Sequence, residues 1–133
     1  MKQELTKIAL ILAVSATPAL ASAQGALAGH WRNPKGSVTV RVAPCGDGYC
    51  GIVVQASAKA KETAARGGTP HLVGTQILSA MRPDGNGLFK GQVFDPKRNI
   101  HAPATIRLDG DTLVVKGCVL SFICKEQRWT RAS

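Results

Sequence analysis

The sequence predicts an all-β fold, a small antiparallel up-and-down β-barrel of about eight strands with one short surface helix or loop. Apolar and polar residues alternate in several short segments, as at Val38, Val40 and Val42, and this period of two is typical of half-buried strands. Turn sequences such as Asp109-Gly110 separate these segments and favour hairpins. The 133 residues, 44% of them apolar, fit one folded domain and exclude a disordered tail.

The N-terminus has the three parts of a cleavable secretory signal peptide, which we predict over residues 1–23. Lys2 and Lys7 form a basic leader, Ile8–Val14 is an apolar run, and Ala21-Ser22-Ala23 carries the small residues of a cleavage site. The apolar run is too short for a bilayer about 30 Å thick, so a retained membrane anchor is the less favoured alternative. Cleavage leaves a single domain, residues 24–133, with no transmembrane segment, and places it in the periplasm or among secreted proteins.

The predicted strands follow one another along this domain with one interruption. The segments with strand character are residues 29–32, 37–42, 49–55, 75–80, 88–95, 102–108, 113–116 and 123–131. The intervening Asp84-Gly-Asn-Gly87 and Asp95-Pro-Lys-Arg-Asn99 have turn chemistry. A barrel of eight strands is either filled by side chains or holds one small ligand, and the pattern of residues leaves both possibilities open.

The interruption, Ser57–Arg66, is rich in helix formers. Ser57 is a suitable N-cap, and Gly67-Gly68 ends the pattern. Because the segment lacks a large apolar face, we expect a short surface helix or loop that does not belong to the core.

The four cysteines form two local pairs, Cys45 with Cys50 and Cys118 with Cys124. An exported chain meets an oxidising compartment, so we predict disulfides. Four cysteines allow three connectivities, of which the two local pairs are the simplest. Closing so short a loop would stabilise the fold by about 2 kcal/mol. A zinc site is the alternative, but the spacing of the cysteines fits structural zinc sites poorly.

The two ends of the domain resemble lipocalin-type barrels. Gly29-His30-Trp31 is similar to their Gly-x-Trp, and the chain ends with Trp129-Thr130-Arg131. The resemblance implies that Trp31 packs near an arginine of the last strand, Arg131 or Arg128, and so closes the base of the barrel.

Nearly the whole domain also resembles the bacterial domain of unknown function 2147 (DUF2147) family. The matching motifs are Gly29-x-Trp31, Cys45…Cys50-Gly51-Ile52-Val53, Gly91-Gln-Val-Phe-Asp-Pro96, Val115-Lys-Gly-Cys118, and Cys124 followed by Gln127-x-Trp129-x-Arg131. The resemblance implies an exported, calycin-like barrel whose biochemical role is not established. The chain departs from the family at Asn99-Ile-His-Ala102, where a Gly-Lys-x-Tyr turn is usual.

The last strand is the most informative segment for a binding site. If the strand is regular, Lys125, Gln127, Trp129 and Arg131 share one face. Either a bulge shifts the register and buries Trp129 alone, or the barrel interior is partly polar. A polar wall with Arg131 suits the acidic head of an amphiphile, whereas Arg131 packed on a tryptophan is the structural alternative. The candidate ligand-binding residues are Trp31, Phe89, Gln127, Trp129 and Arg131.

No catalytic constellation is visible in the sequence. His30, His71 and His101 lack the spacing of metal ligands, and most acidic residues lie in or beside turns. We therefore predict no catalytic residue, no metal and no cofactor, and expect that the protein is not an enzyme. A hydrolase-like site assembled from distant residues is the third hypothesis.

The chain has 17 basic and 8 acidic residues and a net charge of +9. Basic residues at outward strand positions (Arg41, Lys90, Arg107 and Lys116) can attract an anionic envelope surface. Without longer basic runs, charge spread around the barrel for solubility is favoured, and no nucleic acid partner is expected outside the cytoplasm. The leading hypothesis is a non-catalytic binding module for a small amphiphilic or lipid-like ligand. The alternative is an envelope interaction or structural module that uses the basic outer surface.

Overall fold

The computed structural model describes residues 26–120 and 122–132, together with residue 13. Apart from residue 13, the predicted signal peptide lies outside the described residues. The elements are β1 (Gly29–Arg32), β2 (Val38–Cys45), β3 (Gly48–Ala56), α1 (Ala58–Arg66), β4 (Gln76–Pro83), β5 (Leu88–Asp95), β6 (Ile100–Asp109), β7 (Thr112–Val119) and β8 (Ile123–Arg131). Within the described part of the chain, no helix has the length and apolarity needed to cross a membrane.

The strands form a closed barrel in which each strand pairs antiparallel with the next and β8 pairs with β1. This confirms the predicted all-β, up-and-down architecture. The closing seam is short, because β1 and β8 pair only at Trp31↔Arg131 and Arg32↔Thr130 among the described residues. The preceding part of β8 therefore has β7 as its only strand partner in the described barrel.

The antiparallel order places alternate connections at opposite ends of the barrel. The β2–β3, β4–β5 and β6–β7 turns lie at one end, called the closed end below. The β1–β2, β5–β6 and β7–β8 connections lie at the other end, called the open end, together with the segment that contains α1. Residues 26–28, which precede β1, belong to the closed end.

Large side chains fill the half of the barrel next to the closed end. The fully buried side chains there include Leu27, Trp31, Met81, Ile106 and Leu113. The indole Nε1 of Trp31 donates a hydrogen bond of 2.9 Å to the Leu27 carbonyl oxygen. Interiors packed in this way leave few voids larger than a water molecule, so this half of the barrel is the solid core.

A bulge in β4 is accommodated by a glycine in β5. The pairing of the two strands shifts between Ser79 and Arg82, and Ala80 has a φ of 50°. A Cβ atom on Gly91 would lie 2.7 Å from the Ala80 carbonyl oxygen, and it would also collide with the Ser79 carbonyl. Only glycine fits opposite this bulge.

The predicted helix forms as α1, but it is not separate from the core. The Ser57 hydroxyl accepts a hydrogen bond of 3.1 Å from the Ala60 amide, as expected for an N-cap. Ala64 is only 1% exposed and belongs to the core cluster. The segment after the helix is tied to the β5–β6 turn, where the Thr69 hydroxyl donates to the Pro96 carbonyl at 2.9 Å. Small alanine side chains let the helix approach the barrel closely, so a large apolar face is not needed.

Both predicted local disulfides are present. Cys45–Cys50 joins β2 to β3 at the closed end, with 5.8 Å between the Cα atoms. Cys118–Cys124 joins directly opposed residues of β7 and β8 at the open end, with 4.0 Å between the Cα atoms. Two disulfides are consistent with an oxidising compartment.

Candidate functional site

The half of the barrel next to the open end contains a cavity of about 390 Å³. This volume lies within the range of small-molecule sites, roughly 300–1,000 Å³. Apolar lining residues come from strands on both sides of the barrel and from α1: Val38, Val40, Ala60, Ala64, Leu72, Ile77, Val93, Ala102, Val115, Val119 and Trp129. The space is therefore a mostly apolar chamber inside the barrel.

Small inward side chains on β6 and β7 contribute to the cavity. Ala102 and Gly117 line it from β6 and β7, whereas Ile106 and Leu113 occupy the same two strands nearer the closed end. Ala64 also lines the cavity, from α1. Because the spacing between strands is constant, smaller inward side chains leave space inside the barrel. The sequences of β6 and β7 therefore help to determine where the packed core ends and the cavity begins.

One polar strip crosses this apolar wall, and β8 supplies it. The β7–β8 ladder is regular over eight residue pairs, from Thr112↔Thr130 to Val119↔Ile123. The bulge of the first interpretation is therefore wrong, although Trp129 is the one buried residue of β8, as that interpretation expected. The partly polar interior of the second interpretation is observed. Lys125, Gln127 and Trp129 all line the cavity.

The side chain of Gln127 has a fixed orientation in this strip. The indole Nε1 of Trp129 donates to Gln127 Oε1 at 2.9 Å, and an indole N–H can only donate. The amide oxygen of Gln127 must therefore face the indole. The Nε2 group makes no hydrogen bond to any described residue, so its two hydrogens are available to an acceptor in the cavity.

The mouth of the cavity is basic. Its charged lining residues are one acid, Asp95, and five bases: Lys35, Lys59, Lys97, Arg98 and Lys125. The carboxylate of Asp95 accepts a hydrogen bond of 3.0 Å from the Lys97 amide and lies 3.9 Å from Arg98 Nη1. Among the described residues, the four lysines of the mouth form no ion pair. The mouth therefore carries a positive potential beside an apolar chamber.

At the closed end, by contrast, four bases pair with carboxylates of the turns. The ion pairs are Arg82–Asp47 at 3.9 Å, Lys90–Asp84 at 3.2 Å, Arg128–Asp109 at 3.7 Å and Arg131–Asp111 at 3.9 Å. Exposed pairs of this kind contribute little to stability. These pairs reduce the positive charge of the closed end. The net positive charge is therefore concentrated at the open end, and is not spread evenly around the barrel as the sequence had favoured.

The five candidate ligand-binding residues divide between the two ends. Gln127 and Trp129 line the cavity, whereas Trp31, Phe89 and Arg131 do not. Phe89 is buried against Tyr49, edge to face, with 5.9 Å between ring centroids.

Arg131 makes its contacts at the closed end. Its Cζ atom lies 4.2 Å from the centre of the Trp31 ring, and its guanidinium donates to the carbonyls of Ala28, at 3.1 Å, and Ala26. The alternative in which Arg131 packs on a tryptophan and closes the barrel is the arrangement observed. Arg128 does not share this role, since it points to Asp109.

Of the five bases of the mouth, only Lys125 followed from the sequence, because strand alternation places it on the face of Gln127 and Trp129. The other four bases and the part that α1 takes in the wall did not. Lys35, Lys59, Lys97 and Arg98 lie in or beside the connections of the open end. Their convergence depends on the barrel topology and not on local spacing.

The histidines show no common site. His101 packs against Phe94 with 4.8 Å between ring centroids. The described residues contain no group of three or more histidine, cysteine, aspartate or glutamate side chains placed to hold a metal ion.

Comparison with known proteins identifies a family but no characterised relative. No curated protein and no solved structure matches the chain. The model of a family described as an uncharacterized protein conserved in bacteria (DUF2147) matches residues 29–131, which is the entire barrel from the first residue of β1 to the last of β8. The chain therefore belongs to the DUF2147 family.

Proposed function

We propose that the protein is an exported, non-catalytic binding module that holds a small amphiphile with an anionic head group in the open half of the barrel. The observation that carries the proposal is the apolar cavity of about 390 Å³ with a basic mouth. Pockets that bind small molecules are typically apolar with a few convergent polar groups, and this cavity has that composition.

The apolar chain of such a ligand would lie along Val93, Val115 and Trp129. These side chains line the cavity from β5, β7 and β8 and offer no charged group. Burial of apolar surface contributes roughly 25 cal/mol per Å², so this part of the site supplies affinity without selecting among chains.

The head group would lie at the mouth, where the charge supplies selectivity. Lys35, Lys97 and Lys125 are exposed and form no ion pair with described residues, so an anionic oxygen is their available partner. The Nε2 group of Gln127 offers a further donor between the mouth and the indole of Trp129. A carboxylate, sulfate or phosphate matches this set of donors, and a cationic head group does not.

The experiment compares ligands that differ only in the head group. A fluorescent dansyl fatty acid serves as the probe, and dodecanoate or dodecyltrimethylammonium competes for it. We expect dodecanoate to displace the probe at concentrations at least about tenfold lower, because opposite charges attract at the mouth and like charges repel. Equal displacement by both amphiphiles, or no binding of the probe, would overturn the proposal.

The location of the probe is tested by filling the cavity. Ala102→Phe places a ring in the chamber and should weaken binding by about tenfold or more, since the ring occupies volume that the ligand needs. Ala65→Phe, on an exposed position of α1, is the matched control and should leave binding unchanged. A folded Ala102→Phe variant with unchanged affinity would place the probe outside the cavity.

The second candidate function, an envelope module that uses the outer basic surface, has less support. Lys90 lies 3.2 Å from Asp84, and Lys116 lies opposite Glu126 in the β7–β8 ladder. These acids reduce the positive potential of the outer strands, so the basic mouth is the stronger site for an anion.

A further inference from the structure

The turn between β7 and β8 exposes three large apolar side chains at the open end. Leu120 is 71% exposed, Phe122 is 76% exposed and Ile123 is 54% exposed. They are the three most exposed large hydrophobic residues of the described chain. This group, called the apolar tip below, lies next to Val119 and Lys125, which line the cavity from the same hairpin.

The hairpin holds the apolar tip beyond the barrel wall. The β6–β7 ladder ends at Ala104↔Gly117, whereas the β7–β8 ladder continues through Cys118↔Cys124 and Val119↔Ile123. The Cys118–Cys124 disulfide clamps the hairpin directly below the tip. A short loop closed by a cross-link has few conformations in which its apolar residues can fold back and become buried, so their exposure is built into the hairpin.

The backbone of the tip also adopts an unfavourable conformation. Leu120 has a φ of 56°, in the left-handed region that residues other than glycine avoid. Residues held in sparsely populated backbone conformations cluster at functional sites.

The charge around the tip indicates which surface it meets. The five basic residues of the mouth lie at the same end of the barrel, with Asp95 as the one acid among the charged lining residues. Apolar side chains at the same end of the barrel as a group of basic residues match the interface of an anionic bilayer, where the apolar groups enter the acyl boundary and the bases meet the headgroups. A protein partner with an acidic groove is less well matched, because it would have to supply a deep apolar pocket for a narrow tip.

We propose that the open end docks on anionic phospholipid bilayers, with the apolar tip inserted into the interface and the basic mouth against the headgroups. This docking goes beyond the proposed function, since it depends on the tip and on charge and not on occupancy of the cavity. If both hold, the mouth faces the bilayer directly, and a lipid-like ligand passes between the bilayer and the cavity without crossing water.

The test measures binding of the purified, disulfide-bonded protein to vesicles of mixed phosphatidylglycerol and phosphatidylcholine. We expect cosedimentation that weakens with added salt, as screening predicts, and little binding to phosphatidylcholine alone. The double variant Leu120→Ser/Phe122→Ser should bind about tenfold more weakly or worse, because it removes most of the inserting apolar area. Val54→Ser, an exposed apolar residue on the outer face of β3, is the control and should bind normally.

A second pair of variants locates the charge. Lys97→Gln/Arg98→Gln, at the mouth, should weaken binding roughly thirtyfold, because each removed base contributes about 1 kcal/mol near the surface, whereas Arg107→Gln/Lys116→Gln, on the outer strands, should have little effect. The reverse result would assign vesicle binding to the outer surface and overturn the proposed orientation.

Insertion of the apolar tip into the bilayer is measured by the fluorescence of a tryptophan placed at the tip. Phe122→Trp should show a blue shift with vesicles and quenching by brominated lipid, since its ring leaves water for the acyl boundary. An unshifted spectrum in bound protein, or unchanged binding by the double serine variant, would overturn the proposal. Self-association that the double serine variant abolishes, without vesicle binding, would assign the tip to a second copy of the chain and also overturn it.

Failure of docking is distinguishable from failure of the proposed function. Ala102→Phe fills the cavity without altering the apolar tip, so it should keep its vesicle binding while losing the dansyl fatty acid. The double serine variant should keep the dansyl fatty acid and lose the vesicles.

Discussion

The closed and open ends of the barrel are made by the same eight strands but differ in packing and in charge. Trp31, Met81, Ile106 and Leu113 fill the closed half, and the acids of the turns there pair with nearby bases. The open half encloses about 390 Å³ behind a mouth whose lysines lack carboxylate partners among the described residues. The closed half therefore has the composition of a hydrophobic core, and the open half has the composition of a binding site.

The difference shows how a small domain combines stability with a cavity. A cavity lacks the packing contacts of a filled core, so a small domain that contains one requires support from elsewhere. The support comes from the packed half, the seam at Trp31 and Arg131, and one disulfide at each end. The following variants test whether the two halves differ in this way.

The largest expected effect contrasts the two tryptophans. Trp31→Ala should destabilise the fold by about 3–5 kcal/mol, as expected for a fully packed aromatic residue. Trp129→Ala should cost less, about 2 kcal/mol, because one side of that ring already faces the cavity and has fewer contacts to lose. Urea unfolding followed by far-ultraviolet circular dichroism measures both. Equal losses would mean that the open half is as densely packed as the closed half.

The next effect contrasts two arginines. Arg131→Met should cost about 2 kcal/mol, because the partly buried carbonyls of Ala26 and Ala28 lose a charged donor. Arg98→Met should cost less than about 0.5 kcal/mol, since its pair with Asp95 at 3.9 Å is solvent-exposed. The same urea titration checks them. A large loss of stability in Arg98→Met would show that Arg98 stabilises the fold, and would contradict its assignment to the mouth alone.

The disulfides should contribute equally to stability and unequally to function. Replacing either cysteine pair by serine opens a loop of similar length, so each change should cost about 2 kcal/mol. Only Cys118→Ser/Cys124→Ser should weaken vesicle binding, because it frees the apolar tip, while Cys45→Ser/Cys50→Ser lies at the other end. Thermal unfolding together with vesicle cosedimentation separates the two effects, and an equal loss of vesicle binding in both variants would contradict the comparison.

The smallest effect concerns α1. Ser57→Ala removes the N-cap acceptor for the Ala60 amide and should cost about 1 kcal/mol. Hydrogen exchange should become faster in α1 and stay unchanged in the strands, because the helix covers only the open half. Lys61→Ala, at an exposed position of the same helix, is the control and should not speed exchange. Faster exchange in strands of the closed half would show that the two halves are not independent.

Much of the fold was accessible from local patterns. Period-two alternation predicted β2 and β6, Ser57 and Gly67 predicted the limits of α1, and cysteine spacing predicted both disulfides. These features depend on residues only a few positions apart, so short-range rules are sufficient. The same alternation placed Lys125, Gln127, Trp129 and Arg131 on one face of β8, which the regular ladder confirms.

Position along the barrel axis was the point at which local rules failed. Gln127 and Arg131 share a face but are four residues apart, about 13 Å along a strand, so one lines the cavity and the other closes the base. Sequence alternation indicates whether a side chain faces the inside or the outside of the barrel. It does not indicate the position of that side chain along the barrel axis. Phe89 and Trp31 were also candidate ligand-binding residues, although they pack at the closed end.

The sequence by itself therefore determined the strands, the helix, the disulfides and the inward face of β8, because each follows from neighbouring residues. Only the tertiary structure decided that the barrel is half filled, that α1 contributes Ala64 to the wall, and that the mouth gathers five bases. Each of those properties depends on side chains from several strands and connections that lie at the same level of the barrel. No segment contains them alone, since closure of the sheet brings their contributors together.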